Sequence, residues 1–283
     1  MYNAPITRLH PTAFVVLIDR SCSMRERIAW GGAEMTKARA VTLVANTFID
    51  ELVFRARREG GTLDYYDIAM LGYSGDGINY LVSPYGEFTT PSRLVASGVR
   101  REKIARERVL PSGRSVVAVT EQNMWIREKA AGVTPMCAAL REGASLVEWW
   151  CRRRKNANSY PPTVINITDG EASDGSDDEI RAIAERIRRA GTKNGAALLI
   201  NIHLARGGDG TPVIFPSRLD ELPDHRYSRL LWDMSSEMPE SYHDAILSAR
   251  PGAAAPFRAM AWGSHIGQLA AMMNIGSVNS IML

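Results

Sequence analysis

The chain has 283 residues, of which 45% are hydrophobic and 23% are charged, with a formal net charge of +3. This length is large for one domain and small for two, and the apolar content is sufficient for a substantial core, so disorder is not indicated. The slight net charge gives no indication of nucleic-acid binding, and no apolar run approaches the roughly 18 residues of a membrane span. Three cysteines without a C-x-x-C pair, and an N-terminus without secretory features, favour a reducing cytoplasm.

The first predicted element is a buried strand over residues 13–18. A continuous run of β-branched and aromatic residues is typical of a parallel strand covered on both faces. Asp19, Ser21 and Ser23 follow it directly, and their alternation can turn three oxygen atoms toward one point. Ligands bind at the carboxyl ends of strands in open α/β sheets, and three oxygens suggest a hard cation such as Mg2+. The alternative is that these residues only cap turns or the next helix.

The next stretch predicts a helix and two more strands. Residues 25–35 are predicted to form a loop, and Thr36 to cap a helix whose apolar face extends to Val53. Residues 67–73 form a second predicted strand. Residues 78–82, across a short glycine turn, form a third strand that must run antiparallel to the second.

From about residue 84 to residue 131 the hydrophobic pattern is irregular, which predicts an insertion. The insertion has a strand-like segment at 115–119 and a basic run that is compatible with a helix. The basic residues are Arg93, Arg100, Arg101, Lys103, Arg106 and Arg108. Such a charge run is typical of a solvated face, and the alternative is a docking surface for an acidic partner.

Two later stretches again place a polar group at the boundary of an element. Thr134 precedes Pro135, which is favoured in the first position of a helix, and apolar residues at helical spacing continue to Cys151. A second buried strand ends in Thr168 and Asp169. Each has an ordinary interpretation, Thr134 as a helix cap and Asp169 as a turn former.

The remaining elements continue an alternation of strands and helices. Residues 176–179 form a capping box, residues 196–203 a buried strand, and His203 lies at the carboxyl end of that strand. Residues 257–262 are predicted to be a last edge strand and residues 266–275 a closing helix. We therefore predict an α/β fold, a Rossmann-like doubly wound and mostly parallel sheet with one antiparallel edge strand, flanked by helices.

The polar residues at the strand ends resemble a known site. The order Asp19-x-Ser21-x-Ser23, then Thr134, then Thr168-Asp169-Gly170 resembles the metal-ion-dependent adhesion site (MIDAS) of von Willebrand factor type A (vWA) domains. Longer stretches resemble stand-alone bacterial cytoplasmic members, and these stretches are Leu17–Ser21, Gly72-Tyr73, Thr134–Leu140 and Ile165–Glu171. The resemblance implies the vWA fold and a single domain over residues 1–283, with the insertion at about 84–131 and a C-terminal extension from about 207.

The resemblance also implies a function and a ligand set. Ser21, Ser23 and Thr134 would bind Mg2+ directly, with Mn2+ and Ca2+ as alternatives, and Asp19 and Asp169 would bind it directly or through water. Mg2+ readily keeps open or water-filled positions, so it would capture an acidic residue of a partner protein. Relatives of this type serve in multi-protein systems with an ATPase, kinase or phosphatase. The expectation is a cytoplasmic interaction module that is not an enzyme, with neither nucleic acid nor membrane as partner.

Two alternatives stay open. One is a metal-dependent hydrolase in which the same ion is a Lewis acid and His203 is the base, although the sequence has no phosphate-cradling glycine loop and no clear nucleophile. The other is a metal-free scaffold. Cys22 favours the scaffold, because it stands where the family usually has glycine, whose backbone tolerates angles that cysteine does not.

Overall fold

The structure is a computed structural model that describes residues 2–30, 32–83, 88–109, 115–205 and 211–277. The side chains of residues 106–109, 115, 276 and 277 lie outside that description. The strands are β1 Thr12–Asp19, β2 Arg27–Trp30, β3 Ala33–Thr36, β4 Arg57–Arg58, β5 Gly61–Thr62, β6 Tyr66–Ser74, β7 Gly77–Tyr80, β8 Arg100–Val109, β9 Ser115–Met124, β10 Thr163–Thr168, β11 Gly191–Thr192, β12 Gly195–Ala196, β13 Leu198–Leu204, β14 Val213–Ile214 and β15 Met260–Ser264. The helices are α1 Lys37–Arg55, α2 Pro91–Ser97, α3 Met136–Arg152, α4 Asp177–Arg189, α5 Arg226–Met234, α6 His243–Ala249 and α7 Ile266–Ser277.

The main sheet has, within the described ranges, seven strands in the order β14-β15-β13-β10-β1-β6-β7. The five central strands are parallel, whereas β7 and β14 pair antiparallel at the two edges. Without the short edge strand β14, the six strands are β7, β6, β1, β10, β13 and β15. Numbered by their position in the chain, they lie in the order 3-2-1-4-5-6, which is the order of doubly wound folds. The predicted fold class is confirmed.

The last strands of the sheet differ from the prediction in one respect. The prediction that residues 257–262 form an edge strand is wrong, because β15 lies between β13 and the two-residue strand β14. The sequence could not predict that another strand covers β15, since β14 has only two residues and therefore shows no hydrophobic pattern. The domain boundaries stay a prediction, and β14 and β15 both follow residue 207.

Helices cover both faces of the sheet, which explains the continuous apolar run of β1. Phe14, Val16 and Ile18 point to the face covered by α1 and α7. Val15 and Leu17 point to the opposite face, which α3 and α4 cover. Every residue of β1 is buried, as expected of a central parallel strand.

The starts of three helices follow from capping chemistry. Thr36 caps α1 by accepting a hydrogen bond from the Arg39 backbone N–H at 3.0 Å, as predicted. The predicted capping box of Ser176 and Glu179 begins α4. Helix α3 begins at Met136, one residue later than predicted, so Pro135 occupies the cap position.

Two segments form β-hairpins, of which one was predicted to be a loop and the other contains the basic run that is compatible with a helix. Strands β2 and β3 form one where residues 25–35 were predicted to be a loop. The basic run from Arg100 to Arg108 is not helical, because β8 pairs with β9 over their full length. The side chains of Arg106 and Arg108 lie outside the described residues, and Arg93 is in α2.

The described contacts of the β8–β9 hairpin with the domain lie at its base. Leu43 of α1 packs against Ile104 and Met124, and the Gln122 side chain donates to the Leu43 carbonyl at 2.7 Å. Farther along the hairpin, Val117 and other residues of β9 are exposed. Among the described helices, none combines the length and apolar character that crossing a bilayer requires.

Candidate metal site at the carboxyl edge of the sheet

The candidate site lies where β1 and β10 end side by side. These neighbouring parallel strands are in register up to Ile18 and Ile167, so Asp19 and Asp169 emerge at the same edge. This is the point at which the strand order of the sheet reverses, where doubly wound folds bind ligands. Both carboxylates are buried, at 1% and 0% exposure.

Asp19 is held in place by two hydrogen bonds. Its Oδ1 accepts from the Ser21 backbone N–H at 2.8 Å, and its Oδ2 accepts from the Thr168 hydroxyl at 3.0 Å. Burial raises the pKa of Asp19 to about 6, and the charge of Asp169 adds to this rise, while the hydrogen bonds oppose it. The carboxylate is oriented, but its negative charge is poorly compensated.

The two serines connect the two strand ends. The Ser21 and Ser23 hydroxyl oxygens are 3.0 Å apart, and the Ser23 hydroxyl donates to Asp169 Oδ1 at 2.5 Å. Together with Asp19, whose Oδ1 accepts from Ser21, four of the five predicted residues therefore form one hydrogen-bonded cluster.

Thr134, the fifth predicted residue, lies on a segment held between the loops that follow β1 and β10. The Cys22 N–H donates to the Gly132 carbonyl at 2.9 Å, and the Ser173 N–H donates to the Thr134 carbonyl at 2.9 Å. The Thr134 hydroxyl has no hydrogen-bond partner within the described part of the chain. It does not cap α3, and it is free to accept another ligand.

Asp174 caps α3 in place of Thr134. Its two carboxylate oxygens accept from the Cys137 N–H at 2.9 Å and the Ala138 N–H at 2.8 Å. Negative charge at a helix N-terminus is favourable, and the amides there have no partner within the helix. Sequence reasoning missed this role, because Asp174 is 37 residues from Cys137 and its local pattern points only toward α4.

Cys22 is accommodated in the loop after β1 without strain. It begins a 3-10 turn, Cys22–Arg25, does not have a positive φ, and its Sγ accepts from the Gly132 N–H at 3.0 Å. The requirement for glycine falls on Gly132, which has a φ of 71° and whose added Cβ would lie 2.6 Å from Gly75 Cα. Cysteine in place of glycine does not distort this loop.

Lys37 is a residue of the site that sequence reasoning missed. Its side chain is buried, and its Nζ donates to Glu26 Oε2 at 2.5 Å and to Asp169 Oδ2 at 3.4 Å. A signal was present, because Lys37 lies four and seven residues before Val41 and Val44 and so shares the buried face of α1.

His203, the base of the hydrolase alternative, is packed inside the domain. Its ring stacks on Trp262 with centroids 4.2 Å apart and lies edge-on to Tyr227. It is 2% exposed and lies opposite Thr168 in the register of β10 and β13. This position gives the imidazole little access to a substrate from solvent.

The described residues contain no group of three or more His, Cys, Asp and Glu side chains placed to hold a metal ion. The candidate set differs from such a group because it has two carboxylates and three hydroxyls. Its donors are hard oxygens, without the thiolate or imidazole that zinc prefers.

Comparison with known proteins adds little to this geometry. No protein-family model and no curated protein matches the sequence. Among solved structures, the chain is similar to the VWA domain of SpRpn10, with 11% identity, a TM-score of 0.40 and coverage of 68% of this chain and 76% of that chain. It is similar to the vWF domain of the type V pili tip protein Mfa5 from Porphyromonas gingivalis, with 14% identity, a TM-score of 0.32 and coverage of 58% and 39%.

A third similar structure is an aerotolerance-related membrane protein from Bacteroides fragilis, with 13% identity, a TM-score of 0.34 and coverage of 79% of this chain and 86% of that chain. Similarities of this size carry no argument by themselves. The assignment of a doubly wound α/β fold rests on the strand order of the sheet.

Proposed function

We propose that this chain is a protein-interaction module that binds a divalent cation, Mg2+ by preference, and through it an acidic residue of a partner protein. Ser21, Ser23 and Thr134 are the proposed direct ligands, and Asp19 and Asp169 bind directly or through water. The observation that carries the proposal is the cluster in which both buried carboxylates and both serine hydroxyls meet at the carboxyl edge of the sheet.

The charges of the cluster fit a divalent cation. Asp19, Asp169 and Glu26 are three carboxylates, and Lys37 supplies one ammonium, which leaves a formal charge of −2. Buried charge without compensation is unfavourable, and the raised pKa of Asp19 is a consequence of it. A doubly charged ion would complete the neutralisation, and the hard oxygen donors suit Mg2+.

The surroundings of the cluster suit an interaction with another protein. When bound, Mg2+ readily keeps coordination positions for oxygens from outside, such as a partner carboxylate. The free hydroxyl of Thr134 lies beside Val133, which is 60% exposed, so an apolar side chain is available for contact at the rim of the site. We infer a cytoplasmic, bacterial module in a multi-protein system with an ATPase, kinase or phosphatase, without chemistry of its own.

A metal-free scaffold is the second candidate function. The position of Lys37 favours it, because an ammonium already contacts Asp169 where a metal would bind. Cys22 no longer favours it, because its backbone conformation is unstrained.

Calorimetric titration of Mg2+, Mn2+ and Ca2+ into chelator-treated protein tests the proposal. We expect saturable binding by the wild type, which Asp19→Ala and Thr134→Ala abolish. Asp76→Ala and Thr120→Ala are the matched controls, since both side chains are exposed, and they should bind as the wild type does. A folded wild-type chain that binds none of the three ions would disprove the metal-dependent mechanism and leave the scaffold.

A glutamyl peptide then tests capture of an acidic residue. We expect it to bind in the presence of Mg2+ and to be released by chelator. Binding that is equally strong with and without the ion would argue against a metal bridge.

A further inference from the structure

Lys37 is a buried cation among the proposed metal ligands. It is 1% exposed, which is rare for lysine, and it begins α1, where the helix dipole disfavours a positive charge. Its Nζ contacts two carboxylates that differ in solvent exposure, since Asp169 is fully buried and the Glu26 side chain is 46% exposed. The contacts with these carboxylates compensate its burial.

The ammonium and a metal ion would compete for the same carboxylate. Asp169 Oδ2 accepts from Lys37, and Asp169 Oδ1 accepts from Ser23, so internal donors use both oxygens. Each oxygen keeps a second lone pair, so the competition is one of charge and not of hydrogen-bonding capacity. A cation beside Asp169 would be repelled by the ammonium, because like charges repel strongly away from water.

Glu26 is placed to receive the ammonium. The Lys37 N–H donates to the Glu26 carbonyl at 2.9 Å, so the two residues are tied through their backbones as well as their side chains. A cavity of about 100 Å3, lined in part by Lys37, Trp30 and Ser264, adjoins the lysine. The side chain therefore has both a second partner and room to move away from Asp169.

We propose that Lys37 is a built-in competitor that sets the metal affinity of the site. In the metal-free chain the ammonium neutralises Asp169, and when the ion binds, the ammonium is held by Glu26 alone. This inference rests on the proposed function and deepens it. Partner capture then depends on how strongly Asp169, relative to Glu26, holds the lysine, and the competition raises the metal concentration at which the site is half occupied.

Two substitutions with opposite expected effects test the inference. Lys37→Gln removes the charge but keeps an N–H donor, and it should tighten Mg2+ binding about tenfold or more. Glu26→Gln leaves Asp169 as the single carboxylate partner of Lys37, and it should weaken Mg2+ binding about threefold or more. Lys129→Gln, which removes a surface lysine paired with Asp76, is the control and should leave the affinity unchanged.

Calorimetry of Mg2+ binding and thermal unfolding of the metal-free chain are the measurements. Lys37→Gln should lower the unfolding temperature without metal while raising the affinity, a combination that loss of structure would not produce. Equal Mg2+ affinity of the wild type and Lys37→Gln overturns the inference and leaves the proposed function standing. If Lys37→Gln does not fold, Glu26→Gln decides, and an unchanged or tighter affinity overturns the inference.

The failure of the proposed function has a different signature. Binding by Lys37→Gln but not by the wild type would support Lys37 as the competitor and show that the native chain does not use the metal. Absence of binding by all variants overturns both.

Discussion

The carboxyl edge of the sheet and the β8–β9 hairpin place charged and apolar side chains in opposite environments. At the edge, Asp19, Asp169 and Lys37 are charged and at most 1% exposed. On the hairpin, Val117 and Val119 are apolar and 71% and 62% exposed. Burying charge is unfavourable unless specific contacts compensate it, whereas scattered exposed apolar residues on a surface are ordinary. Buried charge therefore lowers the stability of the fold at the edge, and the hairpin is an appendage whose stability depends on its base.

The largest expected effect on stability comes from a substitution at the base of the β8–β9 hairpin. Leu43→Ala should lower the free energy of unfolding by about 3 kcal/mol, because Leu43 is buried and its loss leaves a cavity against Ile104 and Met124. Urea denaturation measures the loss, and Leu9→Ala, at an 80% exposed position, is the control. Mg2+ affinity should stay within about twofold of the wild type, since additivity holds for distant sites. A parallel loss of metal affinity would show that the two regions are not independent.

The second largest expected effect is a pH dependence of the free energy of unfolding, which arises from Asp19 at the carboxyl edge of the sheet. Folding raises the pKa of Asp19 from 3.8 to about 6. Between these two pH values the folded state therefore keeps a proton on Asp19 that the unfolded state has released. The associated stability is fully present below about pH 3.8 and is lost as the pH rises through about 6, by about 3 kcal/mol in the metal-free chain.

Asp19→Asn should remove this dependence, and Asp76→Asn, at a surface carboxylate, should keep it. Saturating Mg2+ should suppress it in the wild type, because the ion favours the ionised carboxylate. Urea denaturation across the same pH range provides the measurement. A wild type whose stability rises through this window faster than that of Asp19→Asn would contradict the assigned direction.

The smallest expected effect is on the exposed face of the hairpin. Val117→Thr and Val119→Thr together should change the free energy of unfolding by less than about 0.5 kcal/mol, since exposed positions contribute little burial and threonine keeps the β-branched shape. Thermal unfolding is the measurement. A larger loss would mean that these valines are covered in solution.

The sequence predicts those parts of the site that follow directly from local patterns. Asp19, Ser21 and Ser23 continue from one buried strand and Asp169 from another, and parallel strands bring such ends to one edge. The order of strands and helices likewise predicts the doubly wound sheet. For these residues the chain neighbourhood determines the position in space.

Prediction from sequence fails for residues whose structure or contacts are determined by another segment of the chain. Lys37 joins the site because the β2–β3 hairpin folds back and carries Glu26 to it. The Gly31-Gly32 pair is typical of a hairpin turn, but it does not indicate that Lys37 contacts Glu26 or Asp169. The basic run of β8 has charged residues compatible with a helix, but its pairing with β9 overrides that preference. Long-range pairing of this kind cannot be read from one segment alone.

Asp174 makes the candidate site difficult to transplant. Its carboxylate fixes the first amides of α3, and the neighbouring Ser173 N–H fixes the Thr134 carbonyl, so the loop after β10 determines where Thr134 lies. A graft of the five oxygen donors onto another sheet would carry the ligands without the tie that places one of them. The smallest portable unit is β1 and β10 with residues 20–23 and 169–174, together with Thr134 and the first turn of α3.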